Sequence, residues 1–186
     1  MENKEEYAII LDFLPNGYPF DRRPSHKKSP IAQAIGKTKF GLLELAPQVG
    51  VHLQPYKEVY IGDGKRDEIQ TILGRLPSDR LTQTARAELD FVVKDIIEKN
   101  PSRFITFYNK AQPLTIRMHQ LELLPGVGKK HMKEIIEARD ERPFVSFDDM
   151  SARVKLLPDP KGLIAHRIIN EILGLEKHRL FVDGIY

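Results

Sequence analysis

The chain has 186 residues, 41% of them hydrophobic and 30% charged, with a formal net charge of +3 and neither cysteine nor tryptophan. That is enough apolar material for one core of ordinary size or two small ones. The lack of cysteine excludes disulfides, thiolate metal sites, iron–sulfur clusters and a cysteine nucleophile, and suits a reducing cytoplasm. No apolar run reaches the roughly 18 residues of a membrane span, and the first residues, MENKEEYAIILDF, lack the small-residue cleavage site of a signal peptide. A soluble cytoplasmic protein without a membrane partner is expected. The mild positive balance permits a nucleic-acid partner without requiring one.

The first part of the chain reads as β structure. Tyr7–Pro15, Lys39–Pro47, Glu58–Gly62 and Glu68–Pro77 are short, rich in β-branched and aromatic residues, and bounded by Gly, Pro or Asp. Asp63-Gly64 between the last two suits a hairpin. Several short strands of this kind predict a small barrel, because closure removes exposed edges, and an oligonucleotide-binding-type barrel is the first choice. Between the first two strands, residues 22–39 carry Arg22, Arg23, Lys27, Lys28, Lys37 and Lys39 and no acid, so +6 is concentrated there while the remainder sums to −3. Most charge runs are solvated loops. The want of any compensating carboxylate favours an arm that grips phosphates, with Lys65 and Arg66 extending the same barrel-side basic patch.

From Leu81 the period changes. Leu81, Ala85, Leu89, Val92, Val93, Ile96 and Ile97 mark one helix face, with Ser78 or Thr82 as cap and Asn100-Pro101 as stop. Ser102 is expected to cap a further short helix whose Phe104, Phe107 and Tyr108 are buried. Pro113 is the expected boundary, giving a barrel domain with connecting helices over 1–112 and an all-α domain over 113–186. In the second part, Leu114, Met118, Leu121 and Leu124 predict one helix, and Ile135, Ile136 and the stem of Arg139 a second. Ser146 followed by Asp149 is a capping-box-like start of a third. Leu163, Ile164, Ile168, Ile169 and Ile172 line a fourth that stops at Gly174. Two helix pairs in succession predict an α+β protein whose second half is a tandem of related units.

Between the first two of these helices lies Pro125-Gly126-Val127-Gly128-Lys129-Lys130. A glycine turn leading into a helix leaves unpaired N–H groups at the positive end of the helix dipole, which makes an anion site. Glycine lets a phosphodiester approach the backbone, and lysine adds charge beside it. Val127 is expected to point inward. The candidate phosphate-binding residues are Gly126, Val127, Gly128, Lys129, Lys130, Lys133 and Arg139.

Here the sequence resembles the helix–hairpin–helix family of non-sequence-specific DNA and RNA binders. Leu121 and Leu124 before the turn, Pro125–Gly128, Lys130, Ile135-Ile136 and Arg139 carry the match; Met132 departs from it, standing where the family usually has alanine. The resemblance implies that hairpin carbonyls from Leu124 to Gly128 can hold a potassium or sodium ion bridging to phosphate. It also places a second hairpin at residues 155–162, KLLPDPKG, which lacks Gly-x-Gly and is expected to be structural. Over nearly its full length, through PIAQAIG, LLELAP, VYIGDGKRDEI, NKAQP and LELLPGVGKK, the chain is similar to an archaeal family of uncharacterised proteins described as predicted RNA-binding or nucleotide-binding.

Rival readings are weaker. Gly36-Lys37-Thr38 resembles the end of a P-loop, but Ile31 stands where its first glycine is required. The 6 histidines show no metal-ligand spacing, no Gly-x-Ser-x-Gly is present, and no metal or cofactor beyond the monovalent ion is expected. Lys130, with Asp148 18 residues downstream, matches the catalytic lysine and aspartate of helix–hairpin–helix DNA glycosylases. The histidine that follows that aspartate in the family is missing, and a capped helix explains the acids without chemistry. A protein-interaction module of a nucleoprotein assembly is the third reading. The expectation is therefore a non-catalytic protein that binds nucleic acid, RNA ahead of DNA, largely through its backbone and independently of sequence.

Overall fold

The computed structural model describes residues 4–183. It contains five strands, β1 (Tyr7–Leu14), β2 (Ile31–Gly36), β3 (Leu42–Pro47), β4 (Glu58–Tyr60) and β5 (Ile69–Arg75). Five α-helices follow: α1 (Gln83–Lys99), α2 (Pro101–Lys110), α3 (Lys129–Glu141), α4 (Phe147–Arg153) and α5 (Pro160–Ile172). Two compact units result. One comprises the chain up to Val92 together with the segment from Asn170, and the other is Val93–Ile169.

In the first unit the strands form one curled antiparallel half-barrel sheet in the order β4-β1-β2-β3-β5. Ala8, Ala32 and Ala34 stand on its central strands and are fully buried with Ile10, Leu43, Leu45, Leu53, Val59, Ile61 and Ile69. Small side chains at the middle leave room for the leucines when a sheet is strongly curved. A register shift between Ile10 and Asp12 bulges β1. The Asp12 carboxylate accepts the Thr82 hydroxyl at 2.6 Å, and Thr82 Oγ1 in turn accepts the Ala85 N–H at 3.0 Å. Thr82 thus caps α1, as one of the two expected caps.

The expected closed barrel is corrected by this topology. β1 and β3 are both antiparallel to β2, β4 is antiparallel to β1, and β5 to β3. β4 and β5 therefore run in the same direction on opposite edges of the sheet, and no tight hairpin can join two strands so related. Asp63-Gly64 belongs to a connection that crosses between edges. A second correction concerns residues 31–36, expected to be part of a basic loop. They form β2, the middle strand of the sheet, buried at five consecutive positions from Ala32 to Gly36. Gln33 is completely buried because its amide donates to the Tyr18 hydroxyl and the Arg80 carbonyl while its oxygen accepts the Thr82 N–H.

In the second unit α2 begins with Pro101 as its first residue and Asn100 as cap position, so Ser102 is not the cap. Phe104 and Tyr108 are buried. Ser146 caps α4 by accepting the Asp149 N–H at 2.9 Å, while the Asp149 carboxylate accepts the Val145 N–H at 3.1 Å. α5 buries Leu163, Ile164, Ile168 and Ile169, and the chain beyond it turns at Gly174 with φ of 73°. The helix expected from Leu114 to Leu124 is replaced by a loop and a single 3-10 turn, Gln120–Leu123. Pro113 bridges to His119, and Met118 C=O accepts the N–H groups of both Leu114 and Thr115 at 2.8 and 3.0 Å. The backbone bonds that a helix would use are closed locally, leaving Leu114, Ile116 and Met118 exposed.

Candidate functional site

The glycine turn is built from both sides. Before it, Leu121 and Leu124 are buried and the 3-10 turn is capped by His119, whose Nδ1 accepts the Leu121 N–H at 3.1 Å. The His119 N–H reciprocally donates to the Glu122 carboxylate at 2.8 Å. Val127 is buried and its N–H donates to the Leu124 carbonyl at 3.1 Å, so the valine plugs the turn inward. Gly126 has φ of 84°, a conformation that L side chains rarely adopt. Gly128 is extended and is the cap position of α3, with no side chain bonded to the helix end. A Cβ built on either glycine meets nothing within 4 Å. Both face open space.

The first intrahelical bond of α3 runs from Met132 N–H to Gly128 C=O at 3.0 Å. The N–H groups ahead of it lie at the positive end of the helix with no side-chain acceptor. Around them the lysines divide. Lys129 is turned back onto Glu122 at 2.9 Å and onto the Arg117 carbonyl at 2.5 Å. Its hydrogen bond is the first cause that holds the Glu122 carboxyl below its ordinary range. Lys130 and Lys133 are exposed and, among the described residues, have no carboxylate within ion-pair distance. Arg139 points away from the turn: its guanidinium donates to the Tyr108 and Ala111 carbonyls, both at 3.0 Å, at the end of α2. At the proposed cation position, the Leu124 carbonyl is engaged by Val127, and the Gly126 carbonyl lies 3.3 Å from His131 Nδ1.

The basic segment of the first unit also divides. Arg23 forks onto Asp21 at 2.7 Å, Lys37 pairs with Glu58 at 2.6 Å, and Lys39 with Asp183 at 3.5 Å. The bonds from Arg23 hold the Asp21 carboxyl down at about 2. Lys65 lies 3.8 Å from Asp67, and the Arg66 guanidinium donates to the Gly62 carbonyl at 2.7 Å. Arg22, Lys27 and Lys28 are the members of the segment left without a carboxylate partner among the described residues. Beside them the structure adds a pair that sequence reasoning missed, Tyr18 and Phe20, whose rings are stacked 4.8 Å apart. The available signal was a Tyr-x-Phe separated by a single residue, Asp21, from Arg22-Arg23.

Asp148, the other residue of the glycosylase comparison, borders an open cavity of about 470 Å3 together with Glu98, Asn109, Asp159 and Lys161; Lys130 is not part of its lining. The structure does not bring the two into one pocket. Among the described residues no helix is long and apolar enough to cross a membrane.

A curled antiparallel half-barrel sheet with a long basic loop, and a helical unit with an uncapped glycine turn, define an α+β protein with one cationic feature in each unit. The chain belongs to the DUF655 family, described as "Protein of unknown function (DUF655)", whose profile matches residues 4–183. It is 38% identical over 178 residues to the uncharacterized protein MJ0038 of Methanocaldococcus jannaschii, covering 96% of this chain and 79% of that one. The crystal structure of Af1531 from Archaeoglobus fulgidus, assigned to the same family, superposes with a TM-score of 0.90 at 46% identity, over 96% of this chain and 100% of that chain. Its similar relatives are thus archaeal.

Proposed function

We propose that the protein binds nucleic acid, RNA ahead of DNA, through backbone phosphates, largely independently of base sequence and without catalysis. The observation that carries this reading is the uncapped start of α3, where N–H groups and two open glycines are followed, within the first turns of the helix, by the exposed Lys130 and Lys133. Partial positive charge from the helix end and full charge from the lysines suit a phosphodiester; Glu122 takes Lys129, and among the described residues no carboxylate lies within ion-pair distance of Lys130 or Lys133. On this reading Gln120–Glu141 acts as a helix–hairpin–helix-type element whose first helix is reduced to one 3-10 turn. The curled sheet, with Arg22, Lys27 and Lys28 on its long loop, provides the second contact in the way expected of an oligonucleotide-binding face. A ribonucleoprotein assembly is the natural setting.

Gly128→Asp tests the turn without disturbing the fold. The cap position has φ of −99° and ψ of −169°, which aspartate adopts readily, and its carboxylate would bond to the free N–H groups of α3. Capping and the helix dipole together stabilise the variant by about 0.5 to about 1 kcal/mol. The same carboxylate occupies and repels the phosphate position, so affinity for a fluorescent RNA should fall while the unfolding midpoint rises. Unchanged affinity in the more stable variant would remove the turn from the interface. Base release or strand cleavage on oxidised or alkylated duplexes, lost in Lys130→Ala, would overturn the non-catalytic assignment.

A further inference from the structure

Leu14 and Ile31 are paired in register, so the 16 residues between them form a closed loop. Connections this long are uncommon in compact proteins and are usually functional when ordered. This one is ordered by its own bonds: Gly17 N–H to Leu14 C=O at 3.2 Å, Asp21 N–H to Tyr18 C=O at 3.1 Å, and Lys27 N–H to Pro24 C=O at 2.8 Å. A Cβ on Gly17 would lie 3.1 Å from the Ser29 carbonyl oxygen, which shows how closely the two ends of the loop pack.

Tyr18 is the rigid part. Its hydroxyl donates to the Glu44 carboxylate at 2.6 Å and accepts from the buried Gln33 amide at 3.2 Å. Burial first, and then the bond to Glu44, push the phenol up to about 12, so it is a neutral ring at any physiological pH. Phe20 lies almost parallel on it, with an angle of 11° between the rings, yet remains 69% exposed. An apolar ring is thus held flat by an anchored neighbour while much of its surface stays in water. Two residues further on begin the cations that have no carboxylate within ion-pair distance among the described residues, Arg22, Lys27 and Lys28, whereas the one acid of the loop, Asp21, is bonded to Arg23 and also feels the Lys28 charge.

We infer that Phe20 is a stacking platform for one unpaired base of a single-stranded nucleic acid, with Arg22, Lys27 and Lys28 holding the phosphates on either side of it. A flat exposed aromatic ring on the same loop as these cations matches the two demands of a single strand, a π-face for the base and positive charge for its backbone. In a duplex the base faces are already stacked on each other and cannot reach such a ring. The platform accepts any base, because every base has a π-face. This inference rests on the nucleic-acid reading above and adds the strandedness of the ligand and the residue that senses it.

The test uses the full chain, a short single-stranded RNA, and the same sequence as a blunt duplex. Phe20→Ala should weaken single-strand binding by about 5-fold to about 100-fold, the range for one lost base stack, and leave duplex binding and the salt dependence unchanged. Phe20→Trp should keep single-strand affinity and, as the chain has no tryptophan of its own, should report stacking as quenched emission with the single strand and not with the duplex. Failure of the unaltered protein to bind either probe at low salt would sink the nucleic-acid reading and this inference with it. Single-strand binding that Phe20→Ala leaves intact, with no quenching in Phe20→Trp, would overturn the platform alone.

Discussion

His119 closes the turn ahead of the glycines by being uncharged. Its Nδ1 must be unprotonated to accept the Leu121 N–H, and burial first, with the Arg139 charge second, holds its pKa below the ordinary 6.5. The unfolded chain therefore binds the proton more tightly than the folded one. The histidine's contribution to stability is complete above pH about 6.5 and is lost progressively as the pH falls through that value toward the folded pKa. His119→Asn keeps an acceptor at the cap position but does not titrate. Between pH 7.5 and 5.5 (values chosen to bracket the ordinary histidine pKa of about 6.5), urea unfolding midpoints of the unaltered protein should drop more than those of His119→Asn. Parallel curves would show that the cap does not depend on protonation. None of this is visible in the residue's spacing, because a lone histidine reads as surface until its burial is known.

At the scale of elements, the helical unit is held by arginines that satisfy carbonyls at the ends of other elements. Arg139 takes Tyr108 and Ala111 at the end of α2. Arg153 takes Ala138 and Arg142 at the end of α3, with its charge paired to Asp149 at 3.1 Å. Arg167, almost fully buried, takes Leu123 at 2.9 Å. Ala138 C=O also accepts the Arg142 N–H at 3.3 Å, whereas helix ends leave other carbonyls without an intrahelical donor, and a guanidinium supplies several donors at once. Arg139→Met keeps most of the stem's packing and removes both bonds, and should cost about 2 to about 3 kcal/mol of unfolding free energy by chemical denaturation. A loss below about 0.5 kcal/mol, the low end for a single hydrogen bond, would mean that water replaces the guanidinium. Arg139→Met should leave the salt dependence of RNA binding unaltered, since both donors face inward. The apolar spacing of α1, α3 and α5 was legible in the sequence, as was the Ser146 cap. The segment 113–119 was not, because Leu114, Met118 and Leu121 keep helical spacing while Pro113 and the local backbone bonds close a loop instead.

For the whole molecule, the net charge of +3 says less than the pairing of its parts. Of the cations in residues 22–39, Arg23, Lys37 and Lys39 are spent on Asp21, Glu58 and Asp183. Among the described residues, Arg22, Lys27 and Lys28 have no carboxylate within ion-pair distance, and these are the three assigned to phosphates in the proposal above. Replacing these three with glutamine should flatten the slope of log K against log salt by up to about 2 units for single-stranded RNA, at about 0.7 for each lost phosphate contact. Replacing Lys37 and Lys39 instead should leave the slope as it is. Salt titrations of the two variants decide the matter, and equal slopes in all three proteins would mean that the run is only a solvated loop.

By itself the sequence determined what local physics can encode: short strands bounded by turn residues, amphipathic helices with their caps, a valine buried between two open glycines, and a concentration of charge. These follow from period, side-chain shape and backbone freedom over a few residues. Tertiary structure alone decided the rest. Ala32, Gln33 and Ala34 carry no strand signal of their own, and they form a strand because β1 and β3 flank them on both sides. Whether β4 meets β5 depends on strand direction across the whole sheet, a sum over pairings that no stretch of sequence contains. Which lysines are free depends on acids far away in the chain, as Lys39 depends on Asp183, because ion pairs form by proximity in space and a charge count along the chain has no distances in it.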